Sequence, residues 1–424
     1  MSHLSISKTA DYFEYEGKGF FYFADTVWSA FTSPDFNEWT EYLDYRKRQG
    51  FNVLQINVLP QWDASAHEAE FQPFDLDLNG EYIFSKINEA YFDRACKMLQ
   101  MAKERGFIPA LTLLWCNYVP DTWGSDLTKK NIMPFEAVKP YTEYVVNKFK
   151  EFNPIYFISG DTDFKTEKSP CYYMTALKIV KELCPGALTT MHLGGERSDL
   201  PEAFVKTKEL DFYTYQSSHG LNGQHTAYHL AEAFLEKKVK KPIVNAEPCY
   251  EGHGHGNQYG RFTAFDVRKA VWQSLLSGAK AGITYGAHGI WDFHRENAGF
   301  QSEAFSSIPF NFRDALRFEG AWDICFAKWT FETFNLFDIE PRFSVLNKTE
   351  EIRFAISKDE SKFILYVPFT SDIKLNFDIS KYNLSLIELT GKHFMKPTIE
   401  IANELSTIKM YPFNSDALII GVKS

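Results

Sequence analysis

Short apolar runs recur along the first three quarters of the chain. Each is followed by a longer stretch in which apolar positions return every three or four residues. The runs are FFYFADTVW, NVLQINVLP, PALTLLWCN, PIYFISGD, ALTTMHLGG, DFYTYQSSH, PIVNAEPC and GITYGAHGIW. They are continuous rather than alternating, the pattern of parallel strands covered on both faces. The stretches between them read as helices. Asp35 can cap one in which Phe36, Trp39, Tyr42 and Leu43 share a face. Tyr91, Phe92, Ala95, Leu99 and Ala102 form the stripe of the next. These two end at Gly50 and Gly106, in RQGFNVLQI and ERGFIPALT, where glycine can take the left-handed cap conformation. Further helices are expected at about 136–152, 170–184, 225–238 and 263–279.

Eight strands alternating with helices predict an α/β chain folded as a (β/α)8 barrel. A doubly wound sheet is the next choice, but no GxGxxG follows the first strand. Near residue 338 the pattern changes. EIRFAISKDESKFILYVPF reads as two strands joined by the polar turn SKDESK, and short strand-like runs continue to ALIIGV with no helical period. The expected organisation is a catalytic barrel over residues 1–337 and a small antiparallel β-sandwich over 338–424.

Composition narrows the function. Aromatic residues make up 17% of the chain, and such rings bury area well and also stack on sugars or bases. The net charge of -10 and the lack of any Lys/Arg run argue against nucleic acid. The opening MSHLSISKTADYFEYEG has no basic start, apolar stretch or cleavage site, and no segment is apolar enough for a membrane span. A cytoplasmic protein without membrane partners is therefore expected. Six cysteines without a CxxC pair fit reduced thiols.

A barrel of this kind carries its site at the C-terminal ends of its strands. There the sequence places Asp25, Thr26 and Trp28 after the first run, then Gln55, Asn57 and Trp62, then Trp115 and Asn117. Asp161 and Asp163 follow the fourth run, His192 and Glu196 the fifth, and Tyr215, Gln216 and His219 the sixth. The seventh delivers Glu247, Tyr250 and Glu251, and the eighth Tyr285, His288, Trp291 and Asp292. Indoles, phenols, acids, amides and imidazoles on one rim suit a carbohydrate: ring faces pack on sugar C–H faces, and polar groups take the hydroxyls. Glycosidic cleavage also needs two carboxyl groups flanking the bond. Strands four and seven lie roughly opposite each other in an eight-strand ring, so Asp161 and Glu247 can face each other across the mouth. Asp163 and Glu251 are the reserve acids, expected as hydroxyl ligands or loop braces. Trp39 and Trp272 sit on helical faces and belong to the core.

The GHGHG loop offers His253 and His255 as metal ligands. Yet the His-x-His of metal-dependent barrel hydrolases usually follows the first strand, where this chain has Asp25 and Thr26, and a glycine-flanked loop makes a poorly preorganised site. No metal or cofactor is expected.

FFYFADTVWSAF, YRKRQGFNVLQINVLPQWD, FISGDTD, NAEPCYEG and ITYGAHGIWDF, in this order, resemble the apiosidase-like (β/α)8 glycosidases, glycoside hydrolase family 140 and its relatives, over about residues 10–335. The tail resembles the β-sandwich that often follows that barrel, a domain named for collagen binding from a remote likeness. The resemblance implies Asp161 as acid/base and Glu247 as nucleophile of a retaining hydrolase. It implies Asp25, Trp28, Asn57, Trp62, Trp115, Asp163, His192, Tyr215, His219, Tyr250, Glu251, His288 and Trp291 around the sugar only as far as the strand-end reading does. Characterised members act outside the cytoplasm on pectic side chains; without an export signal, an imported oligosaccharide or glycoside is the expected substrate, and apiose specificity is not carried over. From residue types alone two other readings stay open: a metal-dependent sugar isomerase or hydrolase using His192, His219, His253 or His255, and a non-catalytic carbohydrate-binding protein on an enzyme scaffold.

Overall fold

The computed structural model describes residues 4–65, 72–402 and 405–423. Eight parallel strands form the central sheet: β1 (Tyr22–Thr26), β2 (Val53–Asn57), β3 (Ile108–Trp115), β4 (Ile155–Gly160), β5 (Thr189–Thr190), β6 (Tyr213–Gln216), β7 (Ile243–Glu247) and β8 (Gly282–Tyr285). Each is followed by a helix: α1 (Phe36–Arg48), α2 (Glu89–Glu104), α3 (Phe135–Phe149), α4 (Lys168–Leu183), α5 (Glu202–Lys206), α6 (Thr226–Leu235), α7 (Ala264–Leu276) and α8 (Gly320–Phe334). The strand order is β5-β4-β3-β2-β1-β8-β7-β6, with β8 joined to β1 in the register Tyr285↔Asp25. This is the (β/α)8 barrel read from the sequence. At the seam between the short β5 and β6, threonine hydroxyls supplement a few backbone bonds such as that from the Asp211 amide to the Thr189 carbonyl at 3.0 Å. Thr190 Oγ1 donates to the Phe212 carbonyl at 2.9 Å and Thr214 Oγ1 to the Met191 carbonyl at 2.6 Å, satisfying oxygens that a missing ladder would leave bare.

Local signals explain the helices. Asp35 accepts from the Asn37 and Glu38 amides while Glu38 reaches back to the Asp35 amide, a complete capping box on α1. Gly50 and Gly106 take φ of 81° and 79° as α1 and α2 hand over to the next strands. Trp39 and Trp272 are fully buried core residues. Phe36 departs from expectation. It is 39% exposed, in the first turn of α1, with the Arg94 guanidinium 5.0 Å above its ring. Helical side chains lean toward the N-terminus, which carries this one past the edge of the core.

Periodicity did not reveal two features. A three-stranded sheet over residues 4–20 sends Phe13 against Tyr22 and Phe212 at the bottom of the barrel interior. A hairpin of Phe74–Leu76 and Tyr82–Ile87 lies between β2 and α2.

Beyond α8 the described elements are strands apart from one short 3-10 turn, Leu336–Asp338. A six-stranded antiparallel sheet faces a three-stranded one, and Arg353–Ser357 pairs with Lys362–Val367 across the polar turn. Phe354, Phe363, Leu365 and Ile419 fill the space between the sheets, whereas Ala355, Ile364, Tyr366 and Leu418 join the core of the barrel side. Burial on both faces accounts for the continuous apolar runs KFILYV and ALIIGV. Arg268 on α7 locks this packing. It takes Asp416 in a two-point grip (Nη2–Oδ1 2.6 Å, Nε–Oδ2 2.8 Å) and Asp323 on α8 at 2.5 Å. Asp416 also accepts from the Tyr366 hydroxyl at 3.1 Å.

Replacing Arg268 by Met takes the guanidinium from two buried carboxylates and leaves Asp416 the Tyr366 hydroxyl and Asp323 the Lys392 ammonium, so urea unfolding is expected to show a loss of about 3 kcal/mol. A change within experimental error would show that the ion pair does not hold the two units together.

Candidate active site

Glu247 ends β7, and its position depends on Asn245 two residues earlier. Asn245 Oδ1 accepts the Glu247 amide at 3.2 Å, while its Nδ2 is held by Ser217 Oγ and Ser274 Oγ at 3.1 and 3.0 Å. The pairing of β6 with β7 slips here: Tyr215 is level with Asn245, but Gln216 is level with Glu247. Such a bulge re-aims side chains, and this one sets Gln216 beside the Glu247 carboxylate.

That carboxylate is well supplied with donors. Its Oε2 lies 2.9 Å from His192 Nε2 and its Oε1 3.6 Å from His219 Nε2, while the Gln216 amide nitrogen, in the orientation that satisfies it, donates to Asp161 Oδ1 at 2.9 Å and to the Leu193 carbonyl at 3.3 Å. The Tyr250 hydroxyl adds a further hydrogen bond. Burial pushes the Glu247 carboxyl up, but the His192 hydrogen bond and charge outweigh it and hold the group below the usual range.

Asp161 follows β4 in a left-handed backbone conformation, φ 48°, the kind of local strain that surrounding structure must hold. Gly160 before it is sterically required, because a Cβ there would lie 2.0 Å from the Trp115 ring. The Asp161 carbonyl accepts Trp123 Nε1 at 2.6 Å. Burial, then the charges of Glu247, Asp63 and Asp163, push the Asp161 carboxyl well above the carboxylate range. The two acids are thus driven apart, one toward the protonated form and one toward the ionised form. Such a split marks an acid and its anionic partner.

Aromatic rings wall this pair. Trp28 and Trp115 meet edge to face at 5.1 Å, both lie within 6 Å of the His192 ring, and Trp28 Nε1 donates to the Tyr250 hydroxyl at 3.2 Å. With 2% and 5% exposure, they are the walls of a closed pocket rather than open platforms. Asn57 donates to Gln61, which donates to Asp63 at 2.8 Å, and Trp62 packs edge to face on Trp123. Asn57 Oδ1, Trp62 Nε1, Trp115 Nε1 and Asn117 Oδ1 are buried without a protein partner. Buried polar atoms seldom stay so. A cavity of about 610 Å³ opens beside Gln61, Trp62 and Asn117. His219, His253 and His288 form a run of imidazoles with centroids 4.9 Å apart at each step, ending at the fully buried His288, and Trp291 stacks beyond it.

Asp25 and Tyr215, expected on the sugar, belong to the scaffold instead, and Asp163 and Glu251 take the other role expected of them, as loop braces. Asp25 is fully buried in an ion pair with Arg46 at 2.6 Å and accepts the Tyr42 hydroxyl at 2.7 Å, on the helix side of β1. Tyr215 also faces outward, donating to the Ala227 carbonyl of α6, because strand alternation gives the inward position to its neighbour Gln216. Asp163 accepts the Trp123 amide at 2.9 Å and so fixes the short helix Trp123–Thr128. Glu251, the reserve nucleophile, accepts the Tyr285 hydroxyl at 2.6 Å and the Gly320 amide at 2.9 Å, bracing the first turn of α8.

Asp63, Trp123 and Gln216 complete the pair's surroundings but were not singled out as ligands. Asp63, pushed up to about 6 by burial, sits in the quoted PQWD and was readable as an acid beside Trp62. Trp123 lies eight residues past the end of β3, and no local signal marks it. Asp292, pushed up to about 7 by burial, accepts from Ser65 Oγ at 2.6 Å. In the GHGHG loop the two histidines diverge: His253 packs on His219 and His288, and His255 on Phe262. Among the described residues no group of three or more His, Cys, Asp or Glu is arranged to hold a metal ion. All six cysteines are free, and no helix of the described residues is long and apolar enough to cross a membrane.

The family described as "Apiosidase-like, catalytic domain" matches residues 7–338. Among solved structures, a protein named "Glycoside hydrolase" superposes with a TM-score of 0.81 at 20% identity, over 100% of this chain and 97% of that one. A glycoside hydrolase family 5 protein from Bacteroides vulgatus ATCC 8482 has the same score and identity over 99% and 93%. A family 30 endoxylanase from Clostridium papyrosolvens C71 is more distant, with a TM-score of 0.51 at 10% identity over 94% and 95%. At these identities the likeness is one of fold. No curated protein sequence matches.

The state of the His288 imidazole can be checked directly. His288 Nε2 lies 2.8 Å from the Ser307 carbonyl and its Nδ1 3.1 Å from Trp291 Nε1, which fits only a neutral ring protonated at Nε2. Burial lowers it to about 3. Long-range ¹⁵N NMR is expected to show that tautomer unchanged between about pH 5 and 8; an imidazolium signal in that window would contradict the hydrogen-bond assignment.

Proposed function

We propose a mechanism from one premise: the chain belongs to the apiosidase-like family and is a glycoside hydrolase. In this reading it cleaves an oligosaccharide or glycoside with retention of configuration, using Asp161 as acid/base and Glu247 as nucleophile. One observation carries the assignment: two carboxyl groups buried together at the ends of β4 and β7, Asp161 pushed well up and Glu247 held down.

In the first step Glu247 attacks the anomeric carbon while the Asp161 proton passes to the glycosidic oxygen. The C–O bond breaks, the alcohol leaves and a glycosyl ester forms on Glu247. Asp161, now a carboxylate, takes a proton from water. The water oxygen displaces the ester, and Glu247 is released ionised with Asp161 protonated again. Neutralising Glu247 in the ester removes one of the charges that raise Asp161, so the same residue serves as acid and then as base. Trp28, Trp115 and Tyr250 close around the reacting ring and exclude water. The cavity on the Trp62 side receives the rest of the substrate, with Asn57 Oδ1 and Asn117 Oδ1 taking hydroxyl protons.

The competent enzyme has Glu247 ionised and Asp161 protonated. Its kcat/KM is therefore expected to fall as pH drops through the lowered Glu247 value and again as pH rises through the raised Asp161 value. On an aryl glycoside that the wild type cleaves, Glu247→Gln should abolish turnover. Asp161→Asn should lose about 10²–10⁴-fold with a poor leaving group and far less with an activated one. NMR of the first-formed sugar should show the anomer of the substrate. Normal turnover by Glu247→Gln would sink the assignment, and an inverted first product would replace the double displacement by a single one.

A further inference from the structure

The opposite end of the barrel holds a second cavity, where the chain enters β7 and β8. Its volume is about 280 Å³, at the small end of ligand pockets, which run ~300–1,000 Å³. Three parts of the chain meet there. Asp11 comes from the N-terminal sheet, Leu235 to Ile243 and Gly278 to Lys280 lead into the two barrel strands, and Ile339–Pro341 is the first strand of the β-sandwich. Leu235, Ile243, Ile339 and Pro341 make an apolar wall, and Asp11, Lys240, Lys241, Lys280 and Glu340 a charged one.

Positive charge is in excess on the charged wall. Three ammonium groups converge on one oxygen, Asp11 Oδ2: Lys240 at 2.9 Å, Lys280 at 3.2 Å and Lys358 at 3.5 Å. Glu340 is the second acid of the group, 3.3 Å from Lys358 and 3.9 Å from Lys240. Lys241 donates to two carbonyls, those of Thr207 at 3.1 Å and of Leu210. The nearby Asp211 is taken by Lys181 at 2.5 Å. Lys280 donates to the Ile339 carbonyl at 2.8 Å. An ammonium carries three N–H donors, so Lys241 and Lys280 each keep one beyond these partners. Both are deeply buried, at 8% and 4% exposure, and burial pushes both below the usual lysine range. Four cations thus share Asp11 and Glu340, in a chain whose net charge is -10. Buried cations are stable only when they are compensated, and here the compensation is incomplete.

We infer that this cavity is a binding site for a small organic anion, its negative group among Lys240, Lys241 and Lys280 and its apolar body against Leu235, Ile243 and Ile339. The two walls select the two halves of such a ligand. A bare inorganic anion leaves the apolar wall uncovered, and a neutral ring leaves the ammonium donors unused. The occupant touches the N-terminal segment, the barrel and the first sandwich strand together, so it stabilises their folded arrangement by mass action. The site lies at the other end of the strands from Asp161 and Glu247, and nothing in it depends on their assignment.

The probes are benzoate, benzamide and inorganic phosphate at one ionic strength. Calorimetric titration of the full chain should show one saturable benzoate site, with benzamide and phosphate each at least tenfold weaker, and saturating benzoate should raise Tm. Because benzoate could also enter the catalytic mouth, two variants fix the place. Lys280→Met removes one ammonium. Leu235→Trp fills the cavity from the end of α6 without touching a charge, and Leu235 is partly exposed, so the larger ring leaves the core undisturbed. Each should weaken benzoate at least tenfold while keeping the circular dichroism of the parent. If Lys280→Met does not fold, Leu235→Trp decides alone. The absence of a saturable benzoate site would overturn the inference. So would benzamide or phosphate binding as tightly as benzoate, or unchanged benzoate binding in either folded variant.

Discussion

Two carboxyl groups buried side by side cannot both ionise without compensation, and the mouth of this barrel is built around that constraint. Burial pushes both Asp161 and Glu247 up, and the charge of Glu247 raises Asp161 further. The tie is broken by where the donors are. Imidazole and phenol groups converge on Glu247, whereas Asp161 faces Asp63 and Asp163. Each donor comes from a different strand end or loop: His192 after β5, His219 in the loop after β6, Tyr250 beyond β7. Only a closed ring of strands brings them to one point.

The scaffold beneath serves that geometry. Asp25 and Arg46 tie β1 to α1, Gln55 reaches across the interior to the Ala246 carbonyl just before Glu247, and Asn245 fixes the Glu247 backbone. Glycines occur where the site needs close approach. A Cβ at Gly160 would collide with Trp115, and one at Gly286 would lie 1.9 Å from the Tyr250 ring. The β-sandwich makes no part of the mouth. It buries one face of its larger sheet on α7 and α8, and the Arg268 ion pairs connect it to those two helices.

Much of this was legible in the chain. Continuous apolar runs gave the parallel strands, the Asp35–Glu38 pair and Gly50 gave the bounds of α1, and the loss of helical period near residue 338 marked the change to strands. The pairing of Asp161 with Glu247 followed from counting strands around a ring. What was not legible is instructive. Asp25 and Glu251 stand at strand ends as Asp161 does, and no local pattern says that Arg46 or the start of α8 will claim them. Those partners lie 21 and 69 residues away.

The sequence by itself therefore determined the period of the elements, their order and the residue types delivered to the barrel rim, because these depend on neighbours within a few positions. The tertiary structure decided which rim residues face the pocket, which acid keeps its proton, and that Gln216 rather than Tyr215 lies between the acids. Those outcomes depend on burial, on a one-residue slip between β6 and β7, and on charges brought together from distant parts of the chain.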